Sequence, residues 1–498
     1  MGGSNCRAKA NRHATLRFCP DLPSFCPYHS NVPPPESIAL LTAIVVLLMH
    51  CIGILHIFHA LMHVRTSQGT IAWIVCLALI PYVAIPFYWI LGRNKFEGYL
   101  RARRADDERL IQLSMDLRVA FMKFVVGEST ALMKAAEKLG GFPQVHGNEI
   151  EVLIDGEATF DALFRAIAEA HSYILVNFFI VKSDRVGTRF KDALVKRARE
   201  GVRIHFLFDE FGSHKLPKSY LREMQQAGIQ TCSFGANRYW WSRLQLNFRN
   251  HRKIVVIDGR EAFVGGLNVG DEYLGRSERF GAWRDTHLRF SGPAVQAVQL
   301  VFLEDWFWAA DDVPEVAAEP LPCAADQRLQ IMPTGPADPN DSWQLFVIEA
   351  ASLANKRLWI TSPYFVPDDG VLSALQAAAL RGVDVRVLLP EKADHLLVYL
   401  SSFSFYEAAI PTGIRLFRFT KGFLHQKVLL SDIHVAIGTA NLDNRSFRLN
   451  FEITALSTDP TLVSRIESML THDFEEAREA SVADFISRSF LFRAACRA

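Results

Sequence analysis

The sequence predicts an α/β protein: a two-transmembrane-helix N-terminal hairpin followed by a duplicated α/β domain. Three observations carry that reading. Residues 37–64 and 66–92 contain no Asp, Glu, Lys or Arg. Beyond residue 141 one order of helices and strands occurs twice. Each copy closes on the same pattern of His, Lys, Asp and Asn. At 498 residues, half of them hydrophobic, the chain is too long for a single core. Its 54 basic and 53 acidic residues leave a formal charge of +1, which argues against bulk electrostatic capture of nucleic acid. Eight scattered cysteines form no disulfide framework.

Each charge-free run is long enough to cross a bilayer, which takes roughly 20 apolar residues. Only the segment around Arg65 separates them, so 37–92 reads as a hairpin, with kinks expected at Pro81 and Pro86. Arg7, Lys9, Arg12 and Arg17 precede it; Arg93, Lys95, Arg101, Arg103 and Arg104 follow. The positive-inside rule therefore places both ends, and the domain beyond, in the cytoplasm, with Arg65 outside. His56, His59 and His63 share one helix face. No cysteine or carboxylate completes a metal or haem ligand set, and a place at the membrane interface suits them better. Residues 1–36 read as a mobile tail and 93–140 as a connecting helical segment.

The first half, 141–310, runs helix (FDALFRAIAEAH), strand (YILVNFFIV), helix (FKDALVKRAREG), strand (VRIHFLFDE). The second, 343–498, repeats it with SWQLFVIEAAS, RLWITSPYFV, VLSALQAAALRG and VDVRVLLPE. Gly201-Val202-Arg203 matches Gly382-Val383-Asp384, and Ala227-Gly228-Ile229 matches Thr412-Gly413-Ile414. Alternation of this kind predicts parallel sheets covered by helices. Residues 311–342, with six prolines and seven acidic residues against one Arg, have the composition of a linker.

The repeated pattern is NHRKIVVIDGREAFVGGLN in the first half, with His251, Lys253, Asp258 and Asn268. In the second it is LHQKVLLSDIHVAIGTAN, with His425, Lys427, Asp432 and Asn441. Two matches at equivalent points of a duplication are far more telling than one. Residues two apart on a strand point the same way, so each His shares a face with its Lys. Asp258 and Asp432 fall on the other face and begin hairpin turns, where closing the turn is their expected role. Symmetric pairing of each hairpin would set Asn268 opposite Arg252 and Asn441 opposite Gln426, with Gly265, Gly266 and Gly438 bending the strand.

Paired His and Lys suit phosphodiester chemistry. One imidazole can attack phosphorus and form a labile phosphohistidine. The second can protonate the leaving oxygen and later deprotonate the acceptor. Lysines and Asn amides can hold the non-bridging oxygens. The paired cations disfavour a metal ion, and no cofactor is expected. Each imidazole needs an acceptor on its other nitrogen. Asp285 and Glu452, on the apolar strands after the motifs, are candidates, with structural ion pairs as the competing role. An insertion in the first half alone, Asn237–Arg243, interleaves Tyr239, Trp240 and Trp241 with arginine; it suits lipid headgroups or a core aromatic cluster equally.

These motifs resemble those of the phospholipase D superfamily, where they are named HKD. The resemblance to bacterial cardiolipin synthases is closer and runs from about residue 37 to the C-terminus. It includes SPYFVPD (362–368), GGLNVGDEYLG (265–275) and GTANLDNRSFRLNFEI (438–453). It implies two halves packed as a pseudo-dimer around one active site in a bacterial inner-membrane enzyme. It also implies transfer between two phosphatidylglycerols, giving cardiolipin and glycerol. Carried over by position, His251, Lys253, Asp258, His425, Lys427 and Asp432 are the motif residues, and His251 supplies the nucleophile. The chain departs from the pattern at Gly266, where many members have Ser, so Thr439 lacks a hydroxyl counterpart. The second turn is also one residue shorter. A phospholipid- or nucleic-acid-hydrolysing member of the superfamily is the alternative, separated from transfer by whether water or an alcohol reaches the phosphoenzyme. A non-enzymatic scaffold would have a broken motif, and both are intact.

Overall fold

The computed structural model describes residues 35–64, 67–92, 108–235, 247–392 and 394–497. The N-terminal tail, Arg65 and the aromatic insertion 237–243 lie outside them, as do the basic residues expected to flank the hairpin. The chain opens with α1 (Pro35–His63), α2 (Ser67–Leu79) and α3 (Pro81–Leu91). Of these α1 alone is long and apolar enough to cross a membrane. The second run, expected as one kinked helix, is instead two short ones. Pro81 cannot donate an amide and forces Ile80 out of helical geometry, to φ −136° and ψ 57°. Pro86 is accommodated inside α3. The three helices pack together: Trp89 Nε1 donates to His56 Nε2 at 2.8 Å, and His59 Nδ1 meets the Tyr88 hydroxyl at 2.7 Å. Among the described residues no His, Cys, Asp or Glu cluster could hold a metal.

Helices α4 (Glu108–Phe121) and α5 (Ala131–Gly140) lead into the first half. There β1 (Val145–Ile154), α6 (Asp155–Glu169), β2 (Tyr173–Phe178), α7 (Arg185–Arg199), β3 (Arg203–Phe208), α8 (Lys218–Gln226) and β4 (Gln230–Ser233) follow in order. Next come β5 (Arg249–Asn250), β6 (Ile254–Ile257), β7 (Glu261–Gly265), β8 (Trp283–Arg284), β9 (Thr286–Ser291) and α9 (Ala294–Ala310). The second half repeats this with β10 (Gln327–Thr334), α10 (Ser342–Leu353), β11 (Arg357–Thr361), β12 (Phe365–Val366), α11 (Asp369–Leu380) and β13 (Asp384–Pro390). It continues through α12 (Leu396–Phe403), α13 (Tyr406–Ala409), β14 (Arg415–Phe419), β15 (Phe423–Leu424), β16 (Val428–Ser431) and β17 (His434–Gly438). The last elements used below are β18 (Leu442–Asp443), α14 (Asn444–Arg448), β19 (Asn450–Ser457), α15 (Pro460–Glu475) and β20 (Ala477–Glu479).

The duplication is visible in the sheet. Strands run β4-β3-β2-β6-β7-β9-β1 in one half and β14-β13-β11-β16-β17-β19-β10 in the other, joined through β1 and β10, with β20 added outside β14. The expectation of parallel sheets holds only in part. The runs β2-β3-β4 and β11-β13-β14 are parallel, but the motif hairpins β6-β7 and β16-β17 return antiparallel beside them. The linker 311–342 also needs correction, because β10 forms inside it. Leu329 and Ile331 of β10 are buried between β1 and β19. Pro333 is tolerated because β1 pairs only as far as Leu329, leaving that edge of β10 without a partner strand.

Matching residues do matching work. Asp184 caps α7 by accepting from Gly187 N, and Asp368 caps α11 by accepting from Val371 N. Val186, Phe190 and Leu194 bury one face of α7, each contributing about 1.5–3 kcal/mol. Gly201 and Gly382 end these helices at φ 95° and 91°, a region closed to most other residues. The turn aspartates are a third pair. Asp258 (φ 54°) accepts from the amides of His171, Ser172 and Tyr173, which lead into β2. Asp432 (φ 50°) accepts from those of Asn355, Lys356 and Arg357, leading into β11. Both follow directly on their strands, β6 and β16, at the end away from the His.

Asp432→Ala should lower stability by about 2–4 kcal/mol, since three amides lose a charged acceptor and Ala takes left-handed backbone poorly. Burial alone would raise the Asp432 carboxyl, but the three amides outweigh it and hold it below its ordinary value. Its contribution is therefore present at neutral pH and lost as pH falls through the carboxylate range. Thermal unfolding in detergent checks this; equal midpoints for variant and parent at neutral pH would contradict it.

Candidate active site

The site is assembled by two very short parallel pairings between the halves. In the first, Arg249 lies level with Asn450 and Asn250 with Phe451. One residue further along are His251 and Glu452, and His251 N donates to Phe451 O at 2.9 Å. In the second, Trp283 lies level with Phe423 and Arg284 with Leu424. The next residues are Asp285 and His425, and His425 N donates to Arg284 O at 2.8 Å. The carboxylates are thus crossed rather than each serving its own half. His251 Nδ1 bonds Glu452 at 2.8 and 3.1 Å, and His425 Nδ1 bonds Asp285 at 2.8 Å. A carboxylate only accepts, so each ring carries its proton on Nδ1 and presents Nε2.

Lys253 Nζ donates to His251 O at 2.6 Å, and Lys427 Nζ donates to His425 O. Lys427 Nζ also lies 3.0 Å from His425 Nδ1. As that nitrogen already donates to Asp285, this is a close approach of charge and not a second hydrogen bond. His251 and Lys253 flank the Phe179 ring at 5.0 and 5.5 Å. Trp283 and Tyr273 stand 5.2 and 6.3 Å from His425.

The two orienting carboxylates are held differently. Glu452 also accepts from the Thr439 hydroxyl at 2.6 Å, the Ser446 hydroxyl at 2.9 Å and Asn450 Nδ2 at 3.2 Å. Asp285 accepts from Thr286 N at 2.9 Å and, weakly, Trp283 Nε1 at 3.4 Å. Where the second half has Thr439 the first has Gly266. A Cβ on Gly266 would lie 2.0 Å from Asp285 Oδ1, so the shorter carboxylate occupies the space of the missing side chain. The absent hydroxyl counterpart noted in the sequence is therefore coupled to Asp standing in place of Glu.

The asparagines do not sit at the register expected. Ile254 pairs with Val264, which sets Gly266 level with Arg252 and carries Asn268 two residues further. Val428 pairs with Ile437, which likewise sets Thr439 level with Gln426. The first turn closes at Ile257–Glu261 and the second at Ser431–His434, one residue shorter as expected, and both ladders end before the Asn. Asn268 Oδ1 instead accepts from Ile180 N at 3.0 Å while Nδ2 donates to the Tyr273 hydroxyl at 2.9 Å. Asn441 is buried as well, and its Oδ1 has no hydrogen-bond partner.

Charge balance follows from burial. Burial would raise both carboxyls, but the facing imidazole and lysine prevail and hold Asp285 at about 2 and Glu452 below its ordinary value. Burial, opposed by Glu452 and reinforced by Lys427, brings Lys253 down to about 7; burial likewise brings Lys427 to about 8. Burial also lowers both histidines to about 4. At neutral pH two carboxylates face two lysines across two neutral imidazoles. A phosphodiester entering this cluster brings the charge that would let one imidazole take up a proton.

Two buried ion pairs lie behind the histidines, and the sequence reading missed them. Arg252 bonds Asp305 at 2.5 Å and donates to Glu452 O at 3.0 Å. Arg284 bonds Asp473 through Nε and Nη2 at 2.7 and 2.8 Å, and Gln426 joins the same carboxylate at 2.8 Å. Removing one member of such a pair is costly, because the other stays buried and charged. The legible signal was an acidic residue on the buried face of an apolar helix, present in α9 and again in α15.

Comparison with known proteins agrees with this architecture. Residues 163–306 and 347–474 match the family described as cardiolipin synthase, PLD-like domain. Cardiolipin synthase A of Pseudomonas putida (strain W619) is 46% identical over 446 residues, covering 88% of this chain and 92% of that protein. Cardiolipin synthase A of Pseudomonas entomophila (strain L48) is 45% identical over 443 residues, with the same coverage. Among solved structures, a phosphatidylserine synthase of Haemophilus influenzae Rd KW20 superposes with a TM-score of 0.53 at 14% identity, over 70% of this chain and 92% of that one, which speaks to the fold. With both copies of the domain matched and close to half the residues identical to a curated relative, the chain belongs to the cardiolipin synthase family of phospholipase D-like proteins.

Proposed function

We propose that the chain transfers a phosphatidyl group between two phosphatidylglycerol molecules, releasing glycerol and forming cardiolipin. The observation that carries this is the pair of imidazoles, each tied through Nδ1 to a carboxylate of the opposite half and accompanied by a buried lysine. The halves are read as a pseudo-dimer sharing this one site. Nε2 of one histidine attacks phosphorus as the P–O bond to the headgroup glycerol breaks, and the other histidine gives that oxygen a proton. The second histidine then takes the proton of the acceptor hydroxyl, whose oxygen displaces the phosphohistidine nitrogen. Lys253 and Lys427 neutralise the non-bridging oxygens. Asp258 and Asp432, engaged at the turns, act through the fold.

Membranes containing the protein, given labelled phosphatidylglycerol, should yield cardiolipin and free glycerol; phosphatidic acid alone would indicate hydrolysis. Geometry leaves the two histidines nearly interchangeable, and the family resemblance makes His251 the nucleophile. His425→Ala should then slow turnover by about 10²–10⁴-fold, yet still trap label from a donor whose leaving group needs no proton. His251→Ala should trap none with any donor. Cleavage near residue 330 locates the label; label on the C-terminal fragment would reverse the assignment.

The lysines set the alkaline limb. Lys253 at about 7 and Lys427 at about 8 are charged below those values and neutral above them. Activity in kcat/KM should therefore fall as pH rises through 7–8. The mechanism also needs one histidine protonated and the other neutral; with both held to about 4 in the free enzyme, that population is largest near 4, so kcat/KM should decline from there upward and more steeply once the lysines lose their protons. A profile that keeps rising to pH 10 would refute this account of the lysines.

The same reading places the catalytic domain in the cytoplasm of a bacterial cell, held to the inner membrane by α1 with α2 and α3 returning. Single cysteines at Ser67 and Ser487 in an otherwise cysteine-free chain should react with an impermeant reagent from outside only at Ser67. Outside labelling at Ser487 would invert the topology.

A further inference from the structure

The two halves differ just where their asparagines sit. In the first, Val181 pairs with Val269, which sets Ile180 level with Asn268, and the Ile180 amide satisfies the Asn268 oxygen. In the second, Phe365 pairs with Leu442, which sets Tyr364 level with Asn441. The Tyr364 amide turns away to the Ser362 hydroxyl at 3.2 Å, and Asn441 Oδ1 is left buried with no hydrogen-bond partner among the described residues. A buried amide oxygen without a donor is costly, so the place calls for a ligand that donates.

The residue level with it, Tyr364, leads to two further acceptors. The Tyr364 hydroxyl, at a position where the first half has apolar Ile180, donates to Asp394 Oδ2 at 2.5 Å and keeps its lone pairs. Asp394 Oδ1 receives the His395 amide at 2.6 Å, and its backbone carbonyl is held from the first half by Arg279 at 3.1 Å. Arg279, which holds Asp394, is followed by Phe280, whose ring lies 5.0 Å from that of Phe423, two residues before His425; this places Asp394 at the His425 side of the cluster. Acceptors without donors suit either hydroxyl groups or an ammonium. Lys253 and Lys427 are balanced by Glu452 and Asp285, so charge does not decide between the two, and the hydroxyl choice follows from the glycerol headgroup of the proposed substrate.

We infer that Asn441, Tyr364 and Asp394 form a subsite for the hydroxyl-bearing headgroup of the substrate, set on the second half alone. The inference rests on the phosphatidyl-transfer reading and gives it a direction. The leaving glycerol and the attacking headgroup hydroxyl use the same acid–base histidine in turn, and the subsite lies on the side of His425. Tyr364 and Asp394 are specificity residues here; neither moves a proton of the reaction.

The test uses the full chain in mixed micelles with added free alcohols as competing acceptors and a labelled phosphatidyl donor whose leaving group carries no hydroxyl, so that only the acceptor can occupy the subsite. The parent should transfer to glycerol in clear preference to propanol and to ethanolamine. Asp394→Asn and Tyr364→Phe should each lower the glycerol-to-propanol ratio by about tenfold or more, the effect expected for a lost hydrogen bond involving a charged group. Transfer to propanol should stay within about threefold, since the bonds concerned are not made to that alcohol. An unchanged ratio in both variants, or equal loss toward both alcohols, would overturn the subsite while leaving the transferase intact. A parent that prefers ethanolamine would overturn the choice of hydroxyl over ammonium. A parent that transfers to no alcohol would remove the proposed function and the subsite together.

Discussion

Everything at the centre of this protein depends on the crossing of histidine and carboxylate between the halves. Two parallel pairings of two residues each bring His251 to Glu452 and Asp285 to His425. Such short ladders contribute little stability by themselves. They are held in place by the continuous sheet through β1 and β10, and by ion pairs such as Arg284–Asp473 that span the same boundary. The reactive groups are therefore products of the association of two domains. Neither half alone contains a histidine with its acceptor.

The approximate symmetry is broken in small, coupled steps. Glu452 with Thr439 on one side faces Asp285 with Gly266 on the other, and the volumes compensate. Arg252 follows the first histidine and Gln426 the second, yet each reaches an aspartate on the helix behind it. The two imidazoles therefore sit in similar but distinguishable surroundings.

Much of this was legible in the sequence for a definite reason. Each Asp opens a hairpin turn in the sequence, and each is found holding the amides that lead into the neighbouring strand. Helix caps, matched glycines and apolar runs are local, so their repetition exposed the duplication. The failures share the opposite cause. Crossed pairing, the ion pairs of Asp305 and Asp473, and the Ile180 amide that holds Asn268 all involve segments distant in the chain. The strand hidden in the Pro-rich linker was missed because composition averages over residues. The alternation of Leu329 and Ile331 with polar neighbours was present but diluted by prolines on both sides. The break at Pro81 shows the same competition at short range, between hydropathy over a long window and the steric demand of one ring.

The crossed pairing also has a consequence in time. A ribosome delivers α1 first, so the growing chain can meet lipid while most of the protein is still unmade. His251 emerges next, without Glu452, which lies two hundred residues downstream. Until that residue emerges the His251 imidazole lacks the carboxylate that fixes its tautomer. The pair can therefore form only when synthesis is nearly complete.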